Sequence, residues 1–315
     1  LPPLAMARLH GAWSRGVEAL RGGEDELSRF LVERIEAHGG VCRLGDKVRS
    51  LTIRRGRVHG LLIDGDEAAT GTDMVVTDLS GEELAELAAG QGIEPRAQQH
   101  WPRLTAGAGR FVTSLVVARK LVPEALAAES FVASAAGALP DPRRPALHLQ
   151  LVTPEQDESL PADEALIVAE ALLPLRGSLS PLEVREATLA SLREQFPYLD
   201  RHLRLVDSVH DGLPLQEWTG GGFKEIDRIH LRESSPTPEP MARQWLVEPA
   251  GWLGLAGEPV RGPIPGTLLV GSTVLPALGQ EGQLLAAWSA ARIVTSKDRT
   301  RQRMRRQLWS KIETT

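Results

Sequence analysis

The chain has 315 residues, 42% of them hydrophobic and 24% charged, with a formal net charge of -5. That is long enough to bury a sizeable core in one large or two smaller domains, and ordinary enough in composition to exclude a disordered, fibrous or membrane-spanning class. No global basic field exists to neutralise phosphates, so nucleic acid is not expected as a partner. The single cysteine, Cys42, excludes an internal disulfide, and no paired Cys or His spacing builds a zinc site. A reducing, cytoplasmic setting is the expectation. The start LPPLAMARLHGAW carries neither a basic flank nor a signal-type apolar core, and it opens at Leu1 rather than methionine, so a missing upstream segment is expected.

Between Gly22 and His38 the apolar residues Leu27, Phe30, Leu31 and Ile35 recur at helical spacing behind the acidic cluster Glu24, Asp25 and Glu26. This predicts an amphipathic helix whose first turn suits the helix dipole. Gly39 and Gly40 stop it. Alternation around Val48, Leu51, Ile53, Val58 and Leu62 predicts short strands joined by turns at Arg55-Gly56 and Asp64-Gly65, and Asp73 to Asp78 is expected to be a buried strand.

From about Glu82 to Val260 the chain reads as a second domain of mixed strands and helices, broken by prolines at Pro140 to Pro145 and Pro236 to Pro240. Strands are predicted at Phe111 to Val117, Ala146 to Val152 and Ala165 to Leu173, and a helix at Pro181 to Phe196. A short buried strand is predicted at Thr267 to Val270, then a glycine-bearing turn, then a helix from Gly282 to Ile293. The fold class is therefore α/β with a mixed-sheet second part. By residue range, 1–80 form a helix, meander and strand, 81–260 the second domain, 261–296 a returning strand, turn and helix, and 297–315 a tail helix.

The turn carries the chemistry. A helix start presents N–H groups without intrahelical acceptors, and the helix dipole favours electron-rich oxygens there. Gly271, Gly279 and Gly282 would permit close backbone approach to a flat or anionic ligand, while Leu284, Leu285 and Trp288 would pack the helix. An ordinary glycine-bearing loop is the competing explanation.

Two segments carry a family resemblance. GSTVLPALGQEGQLLAAWSAA resembles the carboxyl-terminal flavin-binding motif of the phytoene desaturase-like branch of the flavin amine oxidoreductases. RGGEDELSRFLVERIEAHGGVCRLGDKVRSLTIRRGRVHGLLIDGDEAATGTDMVVTD is similar to that family's middle segment. The resemblance implies FAD as cofactor, a partial FAD-binding Rossmann-like domain at 1–80 completed by 261–296, and a substrate domain at 81–260. It places Val48 where a backbone group meets the adenine end of FAD, and Gly271 and Ser272 at the ribityl and pyrophosphate region. It places Gly282 and Gln283 at the helix start facing the flavin ring's pyrimidine edge, with Gly279, Gln280 and Glu281 of the preceding turn also at the cofactor. Ser272 stands where the family usually has an acidic residue.

The family's amino-terminal G-x-G-x-x-G turn does not occur in this chain. Gly220-Gly221-Gly222 follows Trp218 and leads into a charged segment, so it is not that turn. Either a second polypeptide supplies the dinucleotide-binding half, which is the favoured partner, or the sequence is a fragment of a longer chain. A small apolar substrate is implied as well, with desaturation, saturation or flavin-assisted isomerisation as the chemistry. A non-catalytic scaffold or assembly subunit derived from such an enzyme is the alternative.

Trp101, Phe111, Trp218, Phe223, Trp245 and Trp252 are candidates to line a substrate pocket, though each also suits a core or surface position. His148, His202, His210 and His230 lack a metal-ligand spacing, and no G-x-S-x-G elbow is present. The tail places six cationic side chains between Arg299 and Lys311 beside Met304, Leu308 and Ile312 on one helical face. An anionic membrane surface, a partner subunit or plain solvent would each suit such a helix.

Overall fold

A computed structural model of the chain describes residues 7–8, 10–11, 14, 23–132, 143–175, 179–219, 222–231, 237–248 and 254–296. Helices and strands are mixed, and the chain divides into two compact units. One unit comprises Leu1–Glu18, Val32–Thr105 and Trp245–Thr315, and the other Ala19–Leu31 and Ala106–Gln244. The basic tail and Trp252 lie outside the described residues.

Helix α1 (Gly23–Ala37) forms where periodicity predicts it. Of its apolar stripe, Leu27, Phe30, Leu31 and Ile35 are 41%, 53%, 50% and 49% exposed. Strands β1 (Val48–Arg54) and β2 (Arg57–Ile63) pair antiparallel, with β3 (Thr70–Gly71) beside β2. The β1–β2 turn places both Arg55 (φ 51°) and Gly56 (φ 70°) in left-handed backbone, the conformation that matches strand twist in a tight hairpin.

Strand β4 (Val75–Thr77) pairs in parallel with β13 (Thr267–Leu269), with Val75 opposite Thr267 and Thr77 opposite Leu269. The burial expected for this segment is not found, since Val75 and Thr77 are only half-buried. Val76 is 51% exposed because a strand is buried throughout only when both faces are covered. Helices α2 (Gly81–Leu87) and α3 (Pro95–His100) follow β4, and α6 (Gly279–Ser296) follows β13, starting three residues earlier than its apolar run predicts. Leu51, Val58, Leu84, Ala88, Ile264, Leu269, Val274 and Ala286 form this unit's core.

The second unit is built on an eight-stranded sheet whose spine is β5 (Arg103–Ala118) and β8 (Glu164–Pro174). They pair antiparallel without a break from Ala108↔Pro174 to Ala118↔Glu164. Phe111, Thr113, Leu115 and Val117 alternate inward from β5, as do Ala165, Ile167, Ala169, Ala171 and Leu173 from β8. Strands β6 (Glu129–Val132) and β7 (Leu147–Val152) extend the sheet beyond β8. On the other side stand β9 (Leu203–Asp207), β10 (Leu215–Thr219) and β11 (Gly222–Ile226), and β12 (Ala242–Glu248) also pairs with β5. Gly222 opens β11 of an antiparallel pair, so no helix follows the triple glycine.

Helix α4 (Pro181–Gln195) lays Val184, Leu189 and Leu192 into this core, and the short α5 (Leu199–His202) follows it. Ser180 and Glu183 close a reciprocal capping box at the start of α4, each satisfying a donor the helix would otherwise leave bare. Among surface groups, the Arg119 guanidinium 2.7 Å away, helped by Thr153, pulls the Glu155 carboxyl down from 4.5 to about 2. A carboxyl depressed in this way favours the folded state above the ordinary Glu range and loses that contribution as pH falls through its folded value. We expect the Glu155 side chain to titrate near 2 by NMR and to return toward the ordinary Glu value in Arg119→Ala. Titration unchanged by that substitution would contradict the ion pair.

Candidate functional site

The residues singled out by sequence fall into two groups. Ser272, Gly271, Gly279, Gln280, Glu281, Gly282 and Gln283 lie on the connection from β13 into α6. Val48 is the first residue of β1, half-buried in the meander and outside that connection.

The connection starts where β4 and β13 end together. Val270 N–H donates to the Thr77 carbonyl at 2.8 Å, continuing the ladder one residue past β13. At the next residue a side chain becomes impossible, because a Cβ on Gly271 would stand 2.0 Å from the Asp78 carbonyl oxygen. The chain then turns, with Val274 N–H bonding back to Gly271 O at 3.2 Å, and a single helical turn over Pro276–Leu278 leads into α6. Gly282 is fixed by a similar constraint: its Cβ would lie 2.5 Å from Leu275 O. Gly279 differs. It holds φ +55° and ψ -134°, and nothing lies within 4 Å of where its Cβ would be.

These contacts test how well the residues suit a flavin. Gly271 and Gly282 are required by the chain's own packing, whereas Gly279 keeps an open approach to the start of α6. Ser272 is half-buried and Gln280, Glu281 and Gln283 are exposed, with Glu281 ion-paired to Arg8. The donors available to an electron-rich ring are the Ser272 hydroxyl and the first turn of α6, so the set fits the ring and ribityl end of FAD.

The outer face of α6 carries Leu284, Leu285 and Trp288, which are 69%, 39% and 59% exposed, while Gly282, Ala286 and Ala290 face inward. Sequence reading places Leu284, Leu285 and Trp288 in the helix packing, and the structure exposes them instead.

Of the aromatic residues proposed to line a substrate pocket, Phe111 is a core residue at 4% exposure. Trp218 packs against the same core, with Phe223 5.2 Å from its ring. Trp245 is half-buried in β12. Trp101 lines a pocket. His148 stacks on Phe131 at 4.8 Å, and His210 contacts the Glu239 carbonyl at 3.0 Å, both half-buried in the sheet unit. No cluster of three metal-ligating side chains occurs among the described residues. Nor is any helix among them long and apolar enough to cross a membrane.

A feature missed by sequence reading is Glu258. It is 2% exposed, and its Oε1 accepts from Gly81 N–H at 2.9 Å and Trp101 Nε1–H at 2.7 Å. These partners lie 177 and 157 residues away, a separation no local pattern encodes.

No protein-family profile and no curated protein matches the chain. Among solved structures it is similar to an oxidoreductase from Methanosarcina mazei, at 17% identity and a TM-score of 0.50, over 86% of this chain and 55% of that one. A glycerol-3-phosphate dehydrogenase from Bacillus halodurans complexed with FAD matches at 11% identity and TM-score 0.44, over 82% of this chain and 41% of that one. A flavin-dependent brominase matches at 10% identity and TM-score 0.44, over 87% and 56%. The last two are too distant to assign a fold. The chain thus shares its fold with part of an oxidoreductase, and it spans about half the length of the solved structures it matches.

Proposed function

We propose that this chain is the ring-side part of an FAD-dependent oxidoreductase, completed by a second polypeptide that carries the dinucleotide-binding turn. The observation that carries the reading is the backbone crowding at Gly271, which brings the ends of parallel β4 and β13 together and launches the chain through an open Gly279 into α6. A partner is supported by the surfaces left open. Among the described residues the parallel sheet of β4 and β13 has two strands, and both α1 and α6 present apolar side chains to solvent.

Bound FAD would supply hydride acceptance and return. The chain's own residues would act by position: the Ser272 hydroxyl toward the ribityl chain, and the first turn of α6 toward the ring edge, where its dipole stabilises developing negative charge. Val48 would meet the adenine end. An apolar, isoprenoid-like substrate is the proposed class, and the basic tail is proposed to contact a membrane surface or the partner. In the assembly, anaerobic addition of such a saturated or unsaturated hydrocarbon should change the redox state of the flavin. A flavin inert to every donor and acceptor of that class would reject the oxidoreductase reading.

A non-catalytic scaffold descended from such an enzyme is the second reading. It is favoured by one observation: Gly271 and Gly282 are required by contacts with Asp78 and Leu275 of the same chain, so packing alone would retain them. Stoichiometric flavin reduced by a donor would exclude it.

A further inference from the structure

We infer that the cavity beside Trp101 is a binding site for a small cationic amine with an apolar body, held by the free oxygen of Glu258. The cavity measures about 520 Å³ and belongs to the unit that contains the β4–β13 pair. That volume lies within the range typical of small-molecule sites. Its walls include Ala85, Ile93, Ala97, Trp101 and Pro263.

Three separate segments build the site. The Glu258 backbone N–H is tied to Thr273 O at 2.9 Å, just past the Gly271 crossing. Gly81 opens α2, and only a glycine fits there, because a Cβ would stand 2.5 Å from the Trp101 indole nitrogen. Trp101 ends α3, its N–H donating to Ala97 O at 3.0 Å. Two of these segments converge on a single oxygen, Oε1 of Glu258.

The other oxygen, Oε2, is buried and has no partner. Buried polar atoms are normally hydrogen-bonded, and a carboxylate left half-satisfied is costly, so an orphan oxygen on a side chain that lines a cavity points to an absent donor. A carboxylate oxygen accepts only, so the occupant must donate. Charge selects the kind of donor: the ionisable side chains lining the cavity are Glu82, Glu258 and Arg103, two carboxylates against one guanidinium. An ammonium group satisfies both the orphan oxygen and this imbalance. The adjoining indole and aliphatic wall suit an aromatic or aliphatic body, and an aromatic face also attracts cations. The site stands independently of the flavin reading.

Titration of the full chain with benzylamine, followed by calorimetry, tests this. Saturable binding is expected, with benzyl alcohol and phenylacetate at least about tenfold weaker, as loss of a charge-assisted hydrogen bond implies. Glu258→Gln keeps an acceptor for Gly81 and Trp101 but presents an amide donor to the amine, and should weaken benzylamine by a similar factor. Ala97→Phe fills the cavity while leaving Glu258 untouched, and should also abolish binding. It decides the matter if Glu258→Gln does not fold. Absence of saturable benzylamine binding, equal binding of the three probes, or binding that survives in the folded variants would each overturn the proposal.

Discussion

Replacing Asp211 with alanine is expected to destabilise the protein by about 3–5 kcal/mol, the cost of stranding a buried charge. The Asp211 side chain is 0% exposed and that of Arg185, on α4, is 1% exposed. Their contact is bidentate, Nε to Oδ2 at 2.7 Å and one terminal nitrogen to Oδ1 at 2.9 Å. The other terminal nitrogen of Arg185 donates to Pro214 O at 2.8 Å, and Asp211 Oδ1 also accepts from Leu213 N–H at 2.9 Å. Arg228 joins from the far side, bonding Leu213 O at 2.9 Å and pairing with Asp207.

The cluster therefore ties α4 to the connection between β9 and β10, and each nitrogen of the Arg185 guanidinium has an acceptor. Removing Asp211 leaves the guanidinium buried with one carbonyl partner. Replacing both residues with apolar ones, Arg185→Met with Asp211→Leu, should cost less than Asp211→Ala alone, because no isolated charge remains. Denaturant unfolding of the three variants measures this. A loss below about 1 kcal/mol for Asp211→Ala would show that the pair is not the anchor of α4.

Gly271→Ala is the second substitution with a large expected effect. The new methyl would meet the Asp78 carbonyl, a backbone atom that cannot rotate away, so the ends of β4 and β13 must separate. Overpacking of this kind costs about 1–3 kcal/mol, and more when the obstacle is backbone. The hydrogen bond from Val270 N–H to Thr77 O lies immediately before the clash. Hydrogen exchange at the Val270 amide should therefore accelerate, and the global stability should fall with it. If Val270 remains protected and stability is unchanged, the close crossing is wrong, and with it the geometry proposed to launch α6 toward the flavin.

The elements legible in the sequence were those with a strong apolar signal. The apolar runs Phe111 to Val117 and Ala165 to Leu173 mark β5 and β8, although the alternation that buries one face of each strand is not visible in their residue types. The run from Pro181 marks α4, and Gly39-Gly40 marks the end of α1. Boundaries were less legible. Strand β5 begins at Arg103, eight residues before Phe111, because its first residues carry small and polar side chains and lack an apolar period.

Burial was legible only in part. The stripe on α1 and the residues Leu284, Leu285 and Trp288 on α6 have the pattern of a buried face, yet they are exposed. A helical period reports that a partner surface exists, and it does not say whether that surface belongs to the same chain.

The candidate site shows the same division. The glycines of the turn were legible as glycines, but their individual reasons were not: Gly271 answers to Asp78 and Gly282 to Leu275, while Gly279 answers to its own backbone angle. Glu258 was invisible, since one acidic residue in a loop has no signature until the fold brings Gly81 and Trp101 to it. The Arg185–Asp211 pair was hidden for the same reason, because a charged residue within an amphipathic helix reads as solvent-facing.

We propose that this chain holds one end of an FAD whose other end is held by a separate polypeptide. The most direct measurement is the flavin content of the chain purified alone and purified with a co-expressed partner bearing a strand, a G-x-G-x-x-G turn and a helix. The account predicts a colourless chain alone and a yellow complex that releases stoichiometric FAD on denaturation. A stable complex that contains no flavin would contradict it.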